Sequence, residues 1–220
     1  MNADKKIAII IINWKKYDLT LNCIDSVLKS SYKNFKIILI DNESQNGFPD
    51  EINNSDKIHI IKNKNNEGFA RANNQGIKYS IKNGFDYVLL LNNDTVIKND
   101  LLYLLMKHSN TFNQKIIQPL ILNYDRSKIW NAGGTINNFF GTFKTLNKGE
   151  SFKNFKSNRN LTEWFTGCCV LIKTDVFKDI GYFDERFFAY YEDVDFSIRL
   201  KSKGYSVAMM NDSYLQHFES

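Results

Sequence analysis

"DYVLLLNNDTVIKND", residues 86–100, is the stretch on which the reading of the chain turns. Tyr87-Val88-Leu89-Leu90-Leu91 is a continuous strand-like run, suited to burial on both faces of a sheet. It stops abruptly at Asn92-Asn93-Asp94, where a glycine turn would be the ordinary ending. The three polar residues either cap the helix that follows or face a ligand. One stretch does not separate these alternatives, and the flanking sequence has to be read with it.

The same punctuation recurs through the first 120 residues. Strands are predicted over 6–12, 35–40, 57–61, 86–91 and 115–122, and helices over 18–30, 67–82 and 99–109. Leu21, Ile24, Val27 and Leu28 set the helical spacing in the first of these helices. Strands alternating with helices indicate an α/β fold, a mostly parallel central sheet flanked by helices. Past residue 123 the alternation weakens. Residues 131–163 contain Gly133-Gly134, Gly141, Gly149 and many Asn and Lys, which predicts irregular hairpins and a mobile segment. A strand over 169–173, helices over 174–179 and 192–203, and a last strand over 206–210 follow, with Gly204 closing the second helix.

Composition narrows the function classes. At 220 residues, 43% apolar and 24% charged, the chain can form one large α/β domain or two small ones. The apolar run at 7–12 is too short to span a bilayer and no small-residue cleavage site follows it, so no signal peptide is expected. Cys23, Cys168 and Cys169 match neither a disulfide framework nor a zinc site, and they suit a reducing, cytoplasmic setting. The net charge of +5 is uneven. Lys144, Lys148, Lys153, Lys156 and Arg159 interleave with Phe143, Phe152 and Phe155 around a single acid, Glu150. This segment is either a solvated loop or a contact for an anionic membrane surface or substrate. No nucleic-acid-binding motif accompanies it.

Four predicted strands deliver amides or acids at their carboxyl ends: Asn13-Trp14, Asp41-Asn42, Asn63 to Asn66, and Asn92-Asn93-Asp94. Capping explains any one of them, but together they point to a polar crevice at the edge where open parallel sheets bind ligands. The absence of GxxxxGK[ST] and of GxGxxG after the first strand argues against a P-loop or a dinucleotide site. Trp14 and Asp41 beside a nucleobase, with Asp94 beside a metal-diphosphate, would suit a nucleotide-sugar and Mg²⁺ or Mn²⁺. A second constellation lies in "GYFDERFFAYYEDVDFSIRLKSKGY", residues 181–205. Glu192, Asp193 and Asp195 crowd the first turn of a helix, where they complement the helix dipole or include a catalytic base. Spacing alone favours the dipole, with Asp195 and Arg199 as an i,i+4 pair.

"IIIINWKK", "ILIDNESQNG", "NEGFARANNQGI", "LLLNNDTVI", "FTGCCVLIKTDVF" and the 181–205 stretch occur in the order seen in family-2 glycosyltransferases, and the chain most resembles their rhamnosyltransferase-like branch. The resemblance runs from about Ile7 to His217. It implies a GT-A fold, a nucleotide-binding half over about 1–122 joined to an acceptor-binding half over about 123–220, in a chain truncated at its C-terminus. Residue by residue it implies Asn13 and Asp41 beside the nucleobase and ribose, and Asn66, Gly68, Ala72 and Asn73 in the donor pocket. Asn92, Asn93 and Asp94 match the family's DxD motif, with Asn92 where the first acid usually stands and Asp94 on the metal-diphosphate. Asp193, preceded by Glu192, matches the catalytic base, His217 a residue near the metal, and Thr166 and Gly167 a turn near sugar and acceptor. Trp164 and Trp130 either line a sugar subsite or pack in the core.

The implied activity is inverting transfer of a sugar, rhamnose in that branch, from a dTDP- or UDP-type nucleoside-diphosphate donor to a saccharide or lipid-linked acceptor. Cell-surface polysaccharide synthesis, a Mg²⁺ or Mn²⁺ cofactor and a cytoplasmic location with peripheral contact at the inner membrane face go with it. Two rivals are a non-catalytic nucleotide- or glycan-binding module of the same fold and a nucleotidyltransferase. The intact Glu192-Asp193 pair argues against the first, and "NWKKYD" in place of a Gly-rich basic loop argues against the second.

Overall fold

The isoleucine run near the N-terminus becomes strand β1 (Ile7–Asn13), and its two faces enter two different cores. Ile7, Ile9 and Ile11 point into one, Ala8 and Ile10 into the other. A strand buried on both sides has no polar alternation, which is why the sequence reads as an unbroken apolar run. The computed structural model describes residues 5–43, 48–137, 142–156 and 160–218. Gly141 and Arg159, and with them part of the segment expected to be mobile, lie outside the described residues.

After β1 come α1 (Tyr17–Leu28), β2 (Phe35–Asn42), α2 (Asp50–Asn53), β3 (Ile58–Asn63), α3 (Gly68–Lys82), β4 (Tyr87–Leu91), β5 (Thr95–Ile97), α4 (Leu101–Phe112) and β6 (Ile116–Asn123). The remainder forms β7 (Ile129–Asn131), β8 (Gly134–Asn137), β9 (Thr142–Thr145), a 3₁₀ turn (Phe152–Asn154), β10 (Leu161–Thr162), β11 (Cys169–Lys173), α5 (Val176–Ile180), α6 (Glu192–Ser202) and β12 (Val207–His217). Cys23, Ile24 and Val27 of α1 and Leu101, Leu102 and Leu105 of α4 cover one face of the sheet. Ala70, Ala72 and Ile77 of α3, Val176 and Phe177 of α5, and Phe196 and Leu200 of α6 cover the other.

The main sheet runs β10-β12-β6-β11-β4-β1-β2-β3, with β5 added to β12 and β7 to β6. β3, β2, β1 and β4 are mutually parallel, and β12 is parallel to β6. β11 is antiparallel to both β4 and β6, so it joins the two parallel groups while running against them. One edge of the sheet therefore collects the carboxyl ends of six strands and the amino ends of β5, β7 and β11. The α/β fold with a mostly parallel, helix-flanked sheet is thus the one the alternation predicts.

Several boundaries differ. The last strand, expected over 206–210, continues to His217 through a register shift between Met210 and Tyr214. Asn211-Asp212-Ser213 carries turn chemistry, and the irregularity absorbs it without ending the strand. β5 was not predicted, because three residues are too few to show a period; it exists through pairing with β12. Residues 131–163 contain the expected hairpin as β8–β9.

Gly76 sets how closely α3 sits on β1. A Cβ there would lie 2.8 Å from Ile10 Cδ1 and 2.9 Å from its Cγ2. Gly76→Val is expected to destabilise the domain by about 1–3 kcal/mol through overpacking. Calorimetry should show a melting midpoint several degrees lower; an unchanged midpoint would contradict this packing.

Candidate active site

The polar residues after β4 do not cap the next helix. α4 starts only at Leu101, its N-cap is Asp100, and no side chain caps it. The backbone N–H of Asn92 instead donates to Cys168 O at 2.9 Å, joining the end of β4 to the turn before β11. Asn93 Nδ2 donates to Thr20 Oγ1 (2.9 Å), and Thr20 Oγ1 donates to Asn13 Oδ1 (2.6 Å). The ends of β1 and β4 and the first turns of α1 are thereby tied together. Thr20 lies inside a predicted helix and carries no sequence signal for this role.

Asp94 meets a residue from the far end of the chain. β12 pairs with β5 in the register His217↔Thr95, and Phe218 N–H donates to Asp94 O at 2.9 Å. This places His217 Nε2 3.2 Å from Asp94 Oδ1, both side chains buried. His217 Nδ1 has no hydrogen-bond partner, and the Trp130 ring lies 4.3 Å from the imidazole, centroid to centroid. Among the described residues no cluster of three or more His, Cys, Asp or Glu is placed to hold a metal. Asp94 and His217 supply two donors, which fits a Mg²⁺ or Mn²⁺ ion that takes its other ligands from phosphate and water oxygens.

At the ends of β2 and β3 the capping alternative does apply. Asn42 Oδ1 accepts Glu67 N–H and Asn66 Oδ1 accepts Gly68 N–H, each at 3.0 Å, so both amides hold the start of α3. Asn42 Nδ2 also donates to Asn66 Oδ1 (2.6 Å), and Asn63 pairs with Gln75 in both directions. Beside this network Asp41 is buried with Oδ1 unpartnered. Asn73 is buried and donates to Phe69 O, whereas Ala72 lies in the apolar core beneath α3. Trp14 is about half exposed. Gly68 adopts φ +77°, and a Cβ there would lie 2.4 Å from Phe188 O. Only glycine lets the start of α3 meet the 184–191 loop, where Phe69 N–H donates to Phe188 O at 2.6 Å.

That loop leads into α6. Asn74 and Phe183 exchange hydrogen bonds (2.9 and 3.0 Å), and Arg71 pairs with Glu185 at 3.0 Å. At the start of α6, Asp193 Oδ2 accepts the Gly167 N–H (3.0 Å) and Oδ1 the Val194 N–H (2.8 Å). Because β11 is reversed, its leading turn Thr166-Gly167 reaches the same sheet edge as Asn92. Thr166 is positioned by its N–H to Gln118 Oε1 (2.8 Å), and Gln118 in turn donates to Asn131. Burial raises the Asp193 pKa, while the Gly167 and Val194 N–H groups oppose the shift. Glu192 is buried, its Oε2 has no partner, and its pKa is pushed up to about 7, chiefly by burial and then by the charge of Asp193. Asp195 pairs with Arg199 at 2.8 Å. Trp164 is buried with its ring against Gly134. The three cysteines are free and buried, and burial pushes the Cys23 thiol up to about 12, which leaves no thiolate there.

The predicted residues thus fall into linked groups. Asn13, Asn93, Asp94 and His217 meet at the β1–β4 side; Asn92, Thr166, Gly167, Glu192 and Asp193 meet at the β11–α6 side; Asp41, Asn66 and Gly68 stand at the start of α3. Asn74, Gln75 and Gln118 carry no sequence signal for these roles, since an isolated amide in a strand or helix gives no sign of its partner.

The sequence model of the family described as "Glycosyl transferase family 2" matches residues 8–181. The chain is 25% identical over 208 residues to the dTDP-rhamnosyl transferase RfbF of Shigella flexneri, covering 94% of this chain and 67% of that one. It is 30% identical over 206 residues to the low-salt glycan biosynthesis hexosyltransferase Agl10 of Haloferax volcanii, covering 91% and 63%. GalNAc-T7, solved with UDP, GalNAc and Mn²⁺, superposes with a TM-score of 0.77 at 14% identity, over 99% of this chain and 44% of that one. S. aureus TarS 1-349 gives 0.67 at 14% identity, over 95% and 60%. The chain therefore spans about two thirds or less of the length of these proteins, and it shares the GT-A fold of the two solved structures.

Glu192 gives the site a pH signature. Its carboxyl has an ordinary value of 4.5 when unfolded and about 7 when folded, so between these values the folded state keeps a proton that the unfolded chain releases. Stability contributed by this group is present below pH 4.5 and lost as pH rises through 7. Glu192→Gln should melt like the native protein below pH 4.5 and be more stable above pH 7, by up to about 3 kcal/mol. A difference that is flat with pH, or of opposite sign, would mean that Glu192 is ionised and partnered.

Proposed function

The chain belongs to glycosyl transferase family 2, and on that premise we propose that it is an inverting hexosyltransferase. Its donor on this reading is a nucleoside-diphosphate sugar of dTDP or UDP type, with rhamnose as the sugar, and its acceptor a hydroxyl of a saccharide or lipid-linked saccharide. The observation that carries the reading is the Asp193 carboxylate, held by the Val194 N–H of α6 and by the Gly167 N–H of the turn that also meets the end of β4. The kinship to a dTDP-rhamnosyl transferase supports the donor class.

In this mechanism Asp193 accepts the proton of the acceptor hydroxyl as that oxygen bonds to the anomeric carbon. The bond from that carbon to the diphosphate oxygen breaks on the opposite face, and its electron pair leaves with the nucleoside diphosphate. A raised proton affinity suits a base that works near neutral pH. Gly167 and Val194 fix the carboxylate so that orientation is not lost at each turnover. Asp41, with a buried and unpartnered oxygen, is suited to accept an N–H from the nucleobase; Asn13, Asn66, Gly68 and Asn73 shape that wall. Asp94 and His217 would hold Mg²⁺ or Mn²⁺, which when bound supplies positive charge to the leaving diphosphate.

The donor half on this reading is about 1–122 and the acceptor half about 123–220, with one sheet running through both. A part in cell-surface polysaccharide synthesis follows from the acceptor class. Cytoplasmic placement is supported by three free thiols. No helix among the described residues is long and apolar enough to cross a membrane; a peripheral contact would use the exposed Lys144, Lys148, Lys153 and Lys156.

Two measurements test this. UDP or dTDP at 100 times its dissociation constant should add about 2.7 kcal/mol of stability. Mn²⁺ should enlarge the shift and Asp94→Asn should abolish the enlargement; no shift with any nucleoside diphosphate would refute the donor site. Asp193→Asn should keep the nucleotide shift and lower turnover roughly 10²–10⁴-fold. Turnover near the native rate would remove Asp193 from the base role.

A further inference from the structure

Three aromatic rings pack together on the segments that lead into Gly167 and Asp193, and the proposed mechanism uses none of them. Trp164 stands three residues before Gly167, and Tyr191 two residues before Asp193. Phe143, from the β8–β9 hairpin, touches both: its ring lies 5.3 Å from Trp164 and 5.5 Å from Tyr191, edge to face in each case. Trp164 is buried, but Phe143 is 39% and Tyr191 59% exposed. Exposed rings that touch one another form a contiguous patch rather than scattered apolar residues, and such patches mark interaction surfaces.

The surface is preformed. Glu163 ties the hairpin to α6, accepting Ile136 N–H at 2.7 Å and pairing with Lys201 at 2.8 Å. Trp164 Nε1 donates to Lys144 O, and its ring fills the space that a side chain on Gly134 would need. Tyr190 and Tyr191 both adopt φ +71°, a conformation that bulky residues rarely take and that here sets where Tyr191 stands. The Phe69–Phe188 hydrogen bond fastens the other end of the same loop.

We propose that the exposed Tyr191 ring, with Phe143 standing at right angles beside it, is a platform on which a pyranose ring of the acceptor stacks, so that the β8–β9 hairpin selects saccharide acceptors. This rests on Asp193 being the base that meets the acceptor hydroxyl. A pyranose ring fits because it offers an apolar C–H face to an aromatic ring while its hydroxyls stay at the rim, where the tyrosine hydroxyl and water can reach them. A lipid chain would gain nothing from edge-to-face rings of this kind over a flat apolar patch.

The test is saturation-transfer NMR with methyl α-L-rhamnopyranoside, methyl β-D-glucopyranoside and methyl 2-acetamido-2-deoxy-β-D-glucopyranoside, with UDP or dTDP present. Native protein should transfer saturation to the ring C–H protons of at least one glycoside. Phe143→Ala and Tyr191→Ala should each weaken binding about ten-fold, the scale of one lost aromatic contact. Tyr191→Phe should retain most of it, and the nucleotide-induced thermal shift should be native in all variants, reporting an intact fold and donor site. Glycoside contact unchanged in both alanine variants would overturn the platform, as would its absence from the native protein while the nucleotide shift persists. Binding to phosphatidylglycerol vesicles that is lost in Phe143→Ala, without glycoside contact, would overturn it in favour of a lipid surface. Loss of the nucleotide shift in the native protein would instead strike the donor reading on which the platform depends.

Discussion

The reversed strand β11 is the constraint on which the site depends. A sheet of parallel strands delivers only carboxyl ends to its ligand edge, so every group there arrives on a loop leaving a strand. β11 runs the other way between β4 and β6, and brings a turn that enters a strand. The Asn92 N–H to Cys168 O bond fixes that turn against the end of β4, and the neighbouring Gly167 N–H fixes Asp193. A backbone donor, Gly167 N–H, and a backbone acceptor, Cys168 O, on consecutive residues thus couple the proposed base to the proposed leaving-group side. Without the antiparallel insertion, α6 would have no hydrogen-bonded route to the β4 edge.

Electrostatics concentrate at the same edge. Asp41 Oδ1, Glu192 Oε2 and His217 Nδ1 are all buried without hydrogen-bond partners. An unsatisfied buried polar group costs about 1–3 kcal/mol, and His108 Nδ1 in α4 and Asp175 Oδ1 before α5 carry the same cost away from this edge. Glu192 relieves its burial by binding a proton, which lowers the charge repelling Asp193. The pair therefore behaves as coupled carboxyls, and Asp193 can stay the more readily ionised of the two because it alone receives two backbone N–H groups.

Rigidity comes from contacts outside the crevice. α3 holds the 184–191 loop through Phe69, Arg71 and Asn74, and the glycine at 68 permits the approach. Glu163 holds the hairpin to α6. A substituent at Gly68 would meet Phe188 and one at Gly134 would meet Trp164, so either would push these elements apart.

Much of this was legible in the chain. The unbroken apolar runs at 7–12 and 87–91 required a two-sided sheet, because only helices on both faces can bury them. The polar strand ends pointed to a crevice or to helix caps, and Gly204 at φ +77° closes α6 where its position predicted. The ordered motifs named the family. What sequence could not carry was the pairing of distant segments. Whether Asn42 and Asn66 cap a helix while Asn93 does not, whether Asn211 to Ser213 ends a strand or is absorbed in it, and which residue faces His217 are decided by long-range contacts. Hydrophobic period and turn chemistry are local, so the sequence alone determined the elements and their burial; hydrogen-bond partners separated by many tens of residues depend on strand order and register, which only the folded sheet sets.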